Sequence, residues 1–241
     1  MCAERMISSV RPAPERPPSP PHRTRRSPAS NTPVAAPRPV SSGRDMFSTV
    51  VLVDVAGSAS RDGRGQRRMR DDLYGLMTEV TEENGVDIDS LPLRDTGDGL
   101  RLIIPLDVMT PTRVVGVFIP GLAAGLREHR RRSSESARIR IRVCFDSGLV
   151  AAHRHGWTGE PLVRAARLID AQQVRDALAA EPDADLVVVI SEPMHELLRN
   201  RFGLIAPNCF EQIRVRAKEF DGPAWLLAPR AAGACPHCAF R

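Results

Sequence analysis

The sequence has almost no lysine, no signal peptide and no hydrophobic run long enough to span a membrane. Lys218 is the single lysine, so arginine supplies the other 33 basic residues. The longest uncharged apolar run, 114–126, contains Pro120 and three glycines, and it is shorter than the roughly 20 residues that a membrane span needs. The N-terminus carries no apolar segment that could act as a secretion signal. We therefore expect a cytoplasmic protein that does not associate with a membrane.

The body of the chain also lacks excess positive charge. Residues 1–45 hold eight arginines against three acidic residues, a difference equal to the formal net charge of +5 of the whole chain. The remaining residues are therefore balanced, and they lack the basic surface typical of nucleic-acid binding. We expect no nucleic-acid partner.

Two common sequence signatures are missing as well. The five cysteines are odd in number and irregularly spaced, so they give no disulfide framework. No glycine-rich loop ending in Lys-Ser or Lys-Thr is present, which excludes a P-loop nucleotidase.

The composition divides the chain into three segments. Residues 1–44 hold ten of the 21 prolines and cannot bury enough apolar surface to offset the entropy of ordering, so we predict a disordered tail. A basic docking arm is the alternative for this segment. Residues 46–228 are predicted to form one folded domain, and 229–241 a second tail. The lone pair Cys235 and Cys238 in that tail is a weak signal for metal or redox chemistry.

Hydrophobic periodicity predicts the elements of the central domain. Strands are expected at 48–54, 184–190 and within 137–152, helices at 65–84, 111–131, 159–180 and 191–200, and hairpins at 86–106 and 210–229. Alternating Ile and Arg near residue 140 predict one buried and one solvated strand face. Helices interleaved with hairpins predict an α+β fold with a partly antiparallel sheet.

Two aspartates have positions suited to metal binding. Asp54 ends the first predicted strand, and Asp98 lies in the Gly-Asp-Gly turn of the following hairpin. If that hairpin lies beside the first strand, both carboxylates emerge at one edge of the sheet and could hold Mg²⁺ or Mn²⁺. Gly57 and Ser58 then open a segment whose backbone N–H groups could face a phosphate. Either aspartate alone is more often a turn or cap residue.

Four motifs occur in the order and at roughly the spacing of a known family: VVLVDVAGSAS, RDTGDGLRLIIP, IRVCFDSGLV and GEPLVRAARLID. Together they resemble the catalytic domain of the class III nucleotidyl cyclases over residues 47–228. The resemblance implies a ferredoxin-like (βααββαβ) core with extra helices and a C-terminal hairpin. It also implies conversion of a nucleoside triphosphate to a 3′,5′-cyclic nucleotide and pyrophosphate, at sites shared between the chains of a homodimer.

The resemblance assigns roles to individual residues. Asp54 and Asp98 match the aspartates that bind two Mg²⁺ or Mn²⁺ ions, and Arg167 matches the arginine that stabilises charge on the phosphates. Lys218 matches a lysine that touches the triphosphate. Arg94 falls where the family places the residue that binds the base.

Two departures from the family pattern leave alternatives open. The usual asparagine before the arginine is Val163, and the usual base-selecting lysine or glutamate is Arg94, whose partner position falls near Gly156. The selected base is therefore undetermined. The alternatives to an active enzyme are a degenerate cyclase-fold module that binds nucleotide or a protein without turnover, and a subunit completed by a different chain. Arg167 could also be a structural arginine paired with Asp170.

Overall fold

A mixed sheet of eight strands lies at the centre of the computed structural model, which describes residues 45–199 and 207–227. Its strands are β1 (Asp45–Val55), β2 (Leu93–Asp95), β3 (Gly99–Pro105), β4 (Ile141–His153), β5 (Gly156–Thr158), β6 (Leu186–Ser191), β7 (Glu211–Ala217) and β8 (Phe220–Leu227). The α-helices are α1 (Gly63–Glu82), α2 (Pro111–Arg132), α3 (Glu160–Ile169), α4 (Gln172–Ala179) and α5 (Glu192–Arg199). The two tails predicted at 1–44 and 229–241 lie outside the described residues.

The strand order confirms the ferredoxin-like core. The order along the sheet is β2-β3-β1-β4-β6-β8-β7, with β5 paired to β4. The first four strands in this order are antiparallel, and α1 and α2 form the two crossovers of a βαββαβ unit. β6 adds parallel to β4, and the hairpin β7–β8 completes the sheet, as predicted. One α-helix and two short 3₁₀ turns, rather than two α-helices, lie between β1 and β2.

Helices cover both faces of the sheet. The first face packs against α1, α2 and α5, around Leu73, Phe118 and Phe145. The second face packs against α3 and α4, around Leu168 and Val174. A central strand with two buried faces needs a continuous apolar run, which explains the unbroken Val-Val-Leu-Val of β1.

Two expectations about local structure are wrong. Arg140 and Arg142 were expected on a solvated strand face, but both are partly buried because α3 and α4 cover that face. Arg140 donates to the carbonyl oxygen of Leu178 near the end of α4 and to those of Glu181 and Ala184 in the following loop. The predicted helix 159–180 is two helices, since the chain turns at Asp170 and restarts after Ala171.

Helix α5 begins as the sequence indicates. The Ser191 hydroxyl accepts a hydrogen bond from the Met194 N–H at 3.3 Å, so Ser191 acts as the N-cap. Among the described helices, none is long and apolar enough to cross a membrane.

Candidate functional site

Asp54 and Asp98 come together at one edge of the sheet. β1 pairs with β3 so that Asp54 stands opposite Gly99, and the Val55 N–H donates to the Asp98 carbonyl at 2.9 Å. A Cβ at Gly99 would lie 1.9 Å from the Val53 carbonyl oxygen, so only glycine permits this close approach of the two strands. The Gly-Asp-Gly turn therefore places the second carboxylate beside the first.

The turn that carries Asp98 is held by its neighbours. Gly97 has a φ of 98°, which favours glycine, and its N–H donates to the Asp95 carboxylate at 2.6 Å. Arg70 of α1 donates to the Gly97 carbonyl from Nε at 3.0 Å and from Nη2 at 2.7 Å. These bonds fix the backbone immediately before the exposed Asp98 side chain.

The donor set fits a hard divalent cation. Within residues 45–199 and 207–227 no group of three or more His, Cys, Asp or Glu side chains forms a closed metal site. Two carboxylates on adjacent strands leave most coordination positions open to water and to ligand oxygens, which is how Mg²⁺ is usually bound with phosphates. Asp54 and Asp98 are the residues of this edge that would hold such ions.

Arg142 is a member of the site that the sequence motifs did not reveal. It stands opposite Asp54 in the β1–β4 register, and its Nη2 donates to Asp54 Oδ2 in an ion pair. Burial raises the pKa of Asp54, Arg142 opposes that shift, and the nearby charge of Asp98 adds to it. The strand register was the signal that could have identified Arg142.

Gly57 and Ser58 lie just beyond Asp54. Gly57 takes a left-handed φ of 69° and is exposed, and a 3₁₀ turn begins at Ser58. The Gly57 carbonyl accepts from the N–H and the hydroxyl of Ser60, at 3.2 and 2.7 Å. The segment leads directly to α1, in the position expected from the sequence.

Arg167 and Lys218 lie together at the turn between β7 and β8. Arg167, near the end of α3, donates to one Glu219 oxygen at 3.1 and 2.8 Å. Glu219 and Lys218 form the turn between β7 and β8, where Lys218 has a φ of 55°. The structural alternative that paired Arg167 with Asp170 is wrong, because Asp170 pairs with Arg175. Within one chain Arg167 makes no ion pair with Asp54 or Asp98.

Arg94 has a second guanidinium beside it. Arg94 and Arg101 are direct partners in the β2–β3 register, and neither takes part in an ion pair with a described carboxylate. The Arg101 Nε is buried without a hydrogen-bond partner, and burial, with a further contribution from Arg94, lowers the pKa of Arg101. A Cβ at Gly156 would lie 3.7 Å from Arg94 Nη1, so Arg94 and Gly156, which the resemblance predicts to lie at or near the base-binding positions, are adjacent.

Several apolar side chains of the described chain are exposed. Val163 on α3 is 51% exposed, and Leu149 on β4 is 58% exposed. Phe47 is 37% exposed and stands opposite Leu149 in the β1–β4 register. Val163 thus places a methyl surface, rather than an amide, on the open face of α3.

A buried ion pair anchors α3 to the sheet. The Asp146 carboxylate is fully buried and accepts from Arg164 Nε at 2.8 Å and Nη2 at 3.0 Å. It also accepts from the Ser191 hydroxyl at 2.5 Å and from the Ser147 N–H at 2.7 Å. Arg164 precedes Arg167 by one helical turn, so this network fixes the helix that carries Arg167.

No protein-family model and no curated protein sequence matches the chain. Solved structures do match. The guanylyl cyclase Cya2 aligns at 14% identity and a TM-score of 0.56, over 77% of this chain and 92% of that protein. The adenylyl cyclase CyaB from P. aeruginosa aligns at 12% identity and a TM-score of 0.51, over 76% and 93%. The guanylate cyclase domain of RhGC from Catenaria anguillulae, in complex with GTP, aligns at 14% identity and a TM-score of 0.52, over 76% and 97%. These likenesses show a shared fold, which confirms the fold that the four motifs implied.

Proposed function

We propose that this chain, which has the fold of the class III nucleotidyl cyclase catalytic domains, converts a nucleoside triphosphate to a 3′,5′-cyclic nucleotide and pyrophosphate. The observation that carries the proposal is the pair Asp54 and Asp98, joined across β1 and β3 by the Val55–Asp98 bond. The structural relatives named above are adenylyl and guanylyl cyclases, which supports a phosphorus–oxygen lyase. The cytoplasm is the proposed site of action.

The reaction is an internal displacement. The ribose 3′ oxygen forms a bond to the α-phosphorus while the bond to the bridging oxygen of the β-phosphate breaks, and pyrophosphate leaves. Two Mg²⁺ or Mn²⁺ ions held by Asp54 and Asp98 would, when bound, neutralise the triphosphate and favour loss of the 3′ proton. The protein's part is to align the oxygen and the phosphorus and to stabilise the charge that develops.

Arg167 and Lys218 supply that stabilisation. The guanidinium of Arg167 offers paired donors to the phosphate oxygens, and the Lys218 ammonium offers a point charge to the triphosphate. The turn at Gly57 and Ser58 lies where the polyphosphate would pass beyond Asp54. Arg94 faces the base.

A homodimer completes the site in this proposal. Arg167 makes no ion pair with the aspartates of its own chain, and a second copy can bring its Arg167 to them. The exposed apolar side chains of Phe47, Leu149 and Val163 give such a contact an apolar surface. The arrangement is symmetric, so each dimer has two equivalent sites.

The alternative is a degenerate cyclase-fold module that binds nucleotide or a protein partner without turnover. The observation that favours it is Val163, whose apolar side chain cannot replace the amide of the usual asparagine. The sequence nonetheless keeps the polar residues proposed for metal and phosphate binding, namely Asp54, Asp98, Arg167 and Lys218.

One experiment distinguishes an active cyclase from a module that binds nucleotide without turnover. The purified protein is incubated with each of the four ribonucleoside triphosphates and Mn²⁺, and the products are identified by mass spectrometry. The Asp98→Asn variant is the matched control, because Asp98 is exposed and its loss leaves the backbone bonds of the turn intact. A cyclic nucleotide formed by the wild type and not by the variant supports the enzyme. Nucleotide binding without product supports the module.

A further inference from the structure

The side chain of Asp54 is already in an ion pair. Asp54 and Arg142 face each other across β1 and β4, and their side chains are only 15% and 13% exposed. Arg142 forms no ion pair with any other described carboxylate, and its Nε is buried without a partner. Asp98, in contrast, is exposed and makes no ion pair within the described residues. The Asp98 carboxylate is therefore open to a cation, whereas the Asp54 carboxylate is already paired with Arg142.

A divalent cation and a guanidinium repel each other when both contact one carboxylate, and the repulsion is strong where little water screens it. A cation bound at Asp54 therefore weakens the contact with Arg142, which holds Oδ2 of the same carboxylate. We infer that Arg142 competes with the divalent cation for Asp54, so that an incoming ion binds Asp98 first and acquires Asp54 only when Arg142 leaves. This inference rests on the proposed function, since it takes Asp54 and Asp98 as the metal ligands.

The inference predicts an effect opposite to that of losing a metal ligand. Replacing Arg142 with glutamine removes the competitor and leaves both carboxylates, so the protein should bind metal more tightly. We expect the affinity for Mn²⁺ alone, without nucleotide, to rise about threefold to tenfold. Arg142→Lys keeps a competing cation and should stay close to the wild type.

Arg101 provides the matched charge control. It lies opposite Leu52, two residues before Asp54, and forms no ion pair with a described carboxylate. Arg101→Gln removes the same charge from the same neighbourhood without freeing a carboxylate. A general electrostatic effect would strengthen Mn²⁺ binding in both glutamine variants to a similar degree, whereas direct competition would do so in Arg142→Gln alone.

The experiment measures free Mn²⁺ by electron paramagnetic resonance during titration of each variant at pH 8. Circular dichroism checks folding, and Arg142→Met replaces Arg142→Gln if the latter does not fold. Weaker binding in Asp54→Asn and in Asp98→Asn than in the wild type establishes that the titration reports these ligands. If the wild type binds Mn²⁺ no better than those two variants, the metal site of the proposed function is wrong. If both aspartate variants bind more weakly but the uncharged Arg142 variant binds no more tightly than the wild type, or Arg101→Gln gains as much, the competition is overturned.

Discussion

Arg167 and Glu219 form an ion pair in which Nε and Nη2 both donate to one carboxylate oxygen, at 3.1 and 2.8 Å. The pair joins α3 to the β7–β8 turn and places Arg167 beside Lys218. Glu219 is 64% exposed, so water and salt weaken the pair. The N–H donors of Arg167 that the proposed reaction needs are therefore bonded to Glu219, but only weakly.

Neutralising Glu219 should favour triphosphate binding. In Glu219→Gln, Arg167 has no competing carboxylate, so we expect KM for the nucleotide to fall about twofold to threefold at low salt with kcat unchanged. Steady-state kinetics at low and high salt measure the effect, which should shrink as salt screens the pair. Glu211→Gln on the exposed side of β7 is the control. A fall in kcat would instead mean that Glu219 positions Arg167 for catalysis.

The effect of Glu219→Gln on KM should not depend on pH in the neutral range. The hydrogen bond from Arg167 holds the pKa of Glu219 below its usual value. The Arg167–Glu219 pair is therefore intact at any pH above the usual pKa of a carboxyl group. It is lost only as the pH falls through the lowered pKa of Glu219. Between pH 7 and 8.5 the KM ratio of variant to wild type should be constant.

The sequence predicted the elements whose signals are local. The β-branched run of β1 and the Gly-Asp-Gly turn indicated a strand end and a hairpin, and the pairing of β1 with β3 then brings Asp54 and Asp98 together. The four ordered motifs indicated the fold as well, because they cover the end of β1, the β2–β3 hairpin, most of β4 and the whole of α3.

Residues whose roles depend on distant packing were missed. The alternation of Ile and Arg in β4 assigned Arg142 to the face opposite the buried isoleucines. It did not indicate that α3 and α4 cover that face. Likewise, nothing near Asp146 in the sequence indicates that Arg164, 18 residues later, neutralises it. Periodicity shows which residues share a face, whereas tertiary contacts decide whether the face meets water.

The Arg94 and Arg101 guanidiniums should favour bases that present carbonyl oxygens. A guanidinium only donates hydrogen bonds, and guanine offers O6 and N7 and uracil offers O4, while adenine and cytosine place an amino group at the corresponding position. We expect GTP or UTP to give the highest kcat/KM among the four nucleotides. Arg94→Gln should lower that value about tenfold and reduce the discrimination against ATP. Preference of the wild type for ATP or CTP would contradict this role.

The Asp146–Arg164 pair should be necessary for stability. Asp146→Asn leaves the largely buried Arg164 charge without its buried counter-ion, and we expect it to lower the free energy of unfolding by about 3–5 kcal/mol. The double variant Asp146→Asn/Arg164→Met removes that charge and should recover most of the loss. Urea unfolding followed by circular dichroism measures both. Glu160→Gln, which removes only the exposed partner of Arg164, should change stability by less than about 1 kcal/mol. Equal losses in the single and double variants would show that shape, not charge, matters here.

The proposed homodimer can be tested by complementation. Each site takes Asp54 and Asp98 from one chain and Arg167 from the other, so Asp54→Asn alone and Arg167→Ala alone should each inactivate both sites. In a mixed dimer one site combines intact aspartates with an intact arginine, and the other site carries both defects. After free exchange half of the dimers are mixed and half of their sites are intact, so the mixture should recover about a quarter of wild-type activity. The control mixes Asp54→Asn with Asp98→Asn; both changes affect the same half of the site, and no combination restores it. If the first mixture stays inactive although exchange is demonstrated by mass spectrometry, the shared site is wrong and Arg167 does not act across the interface.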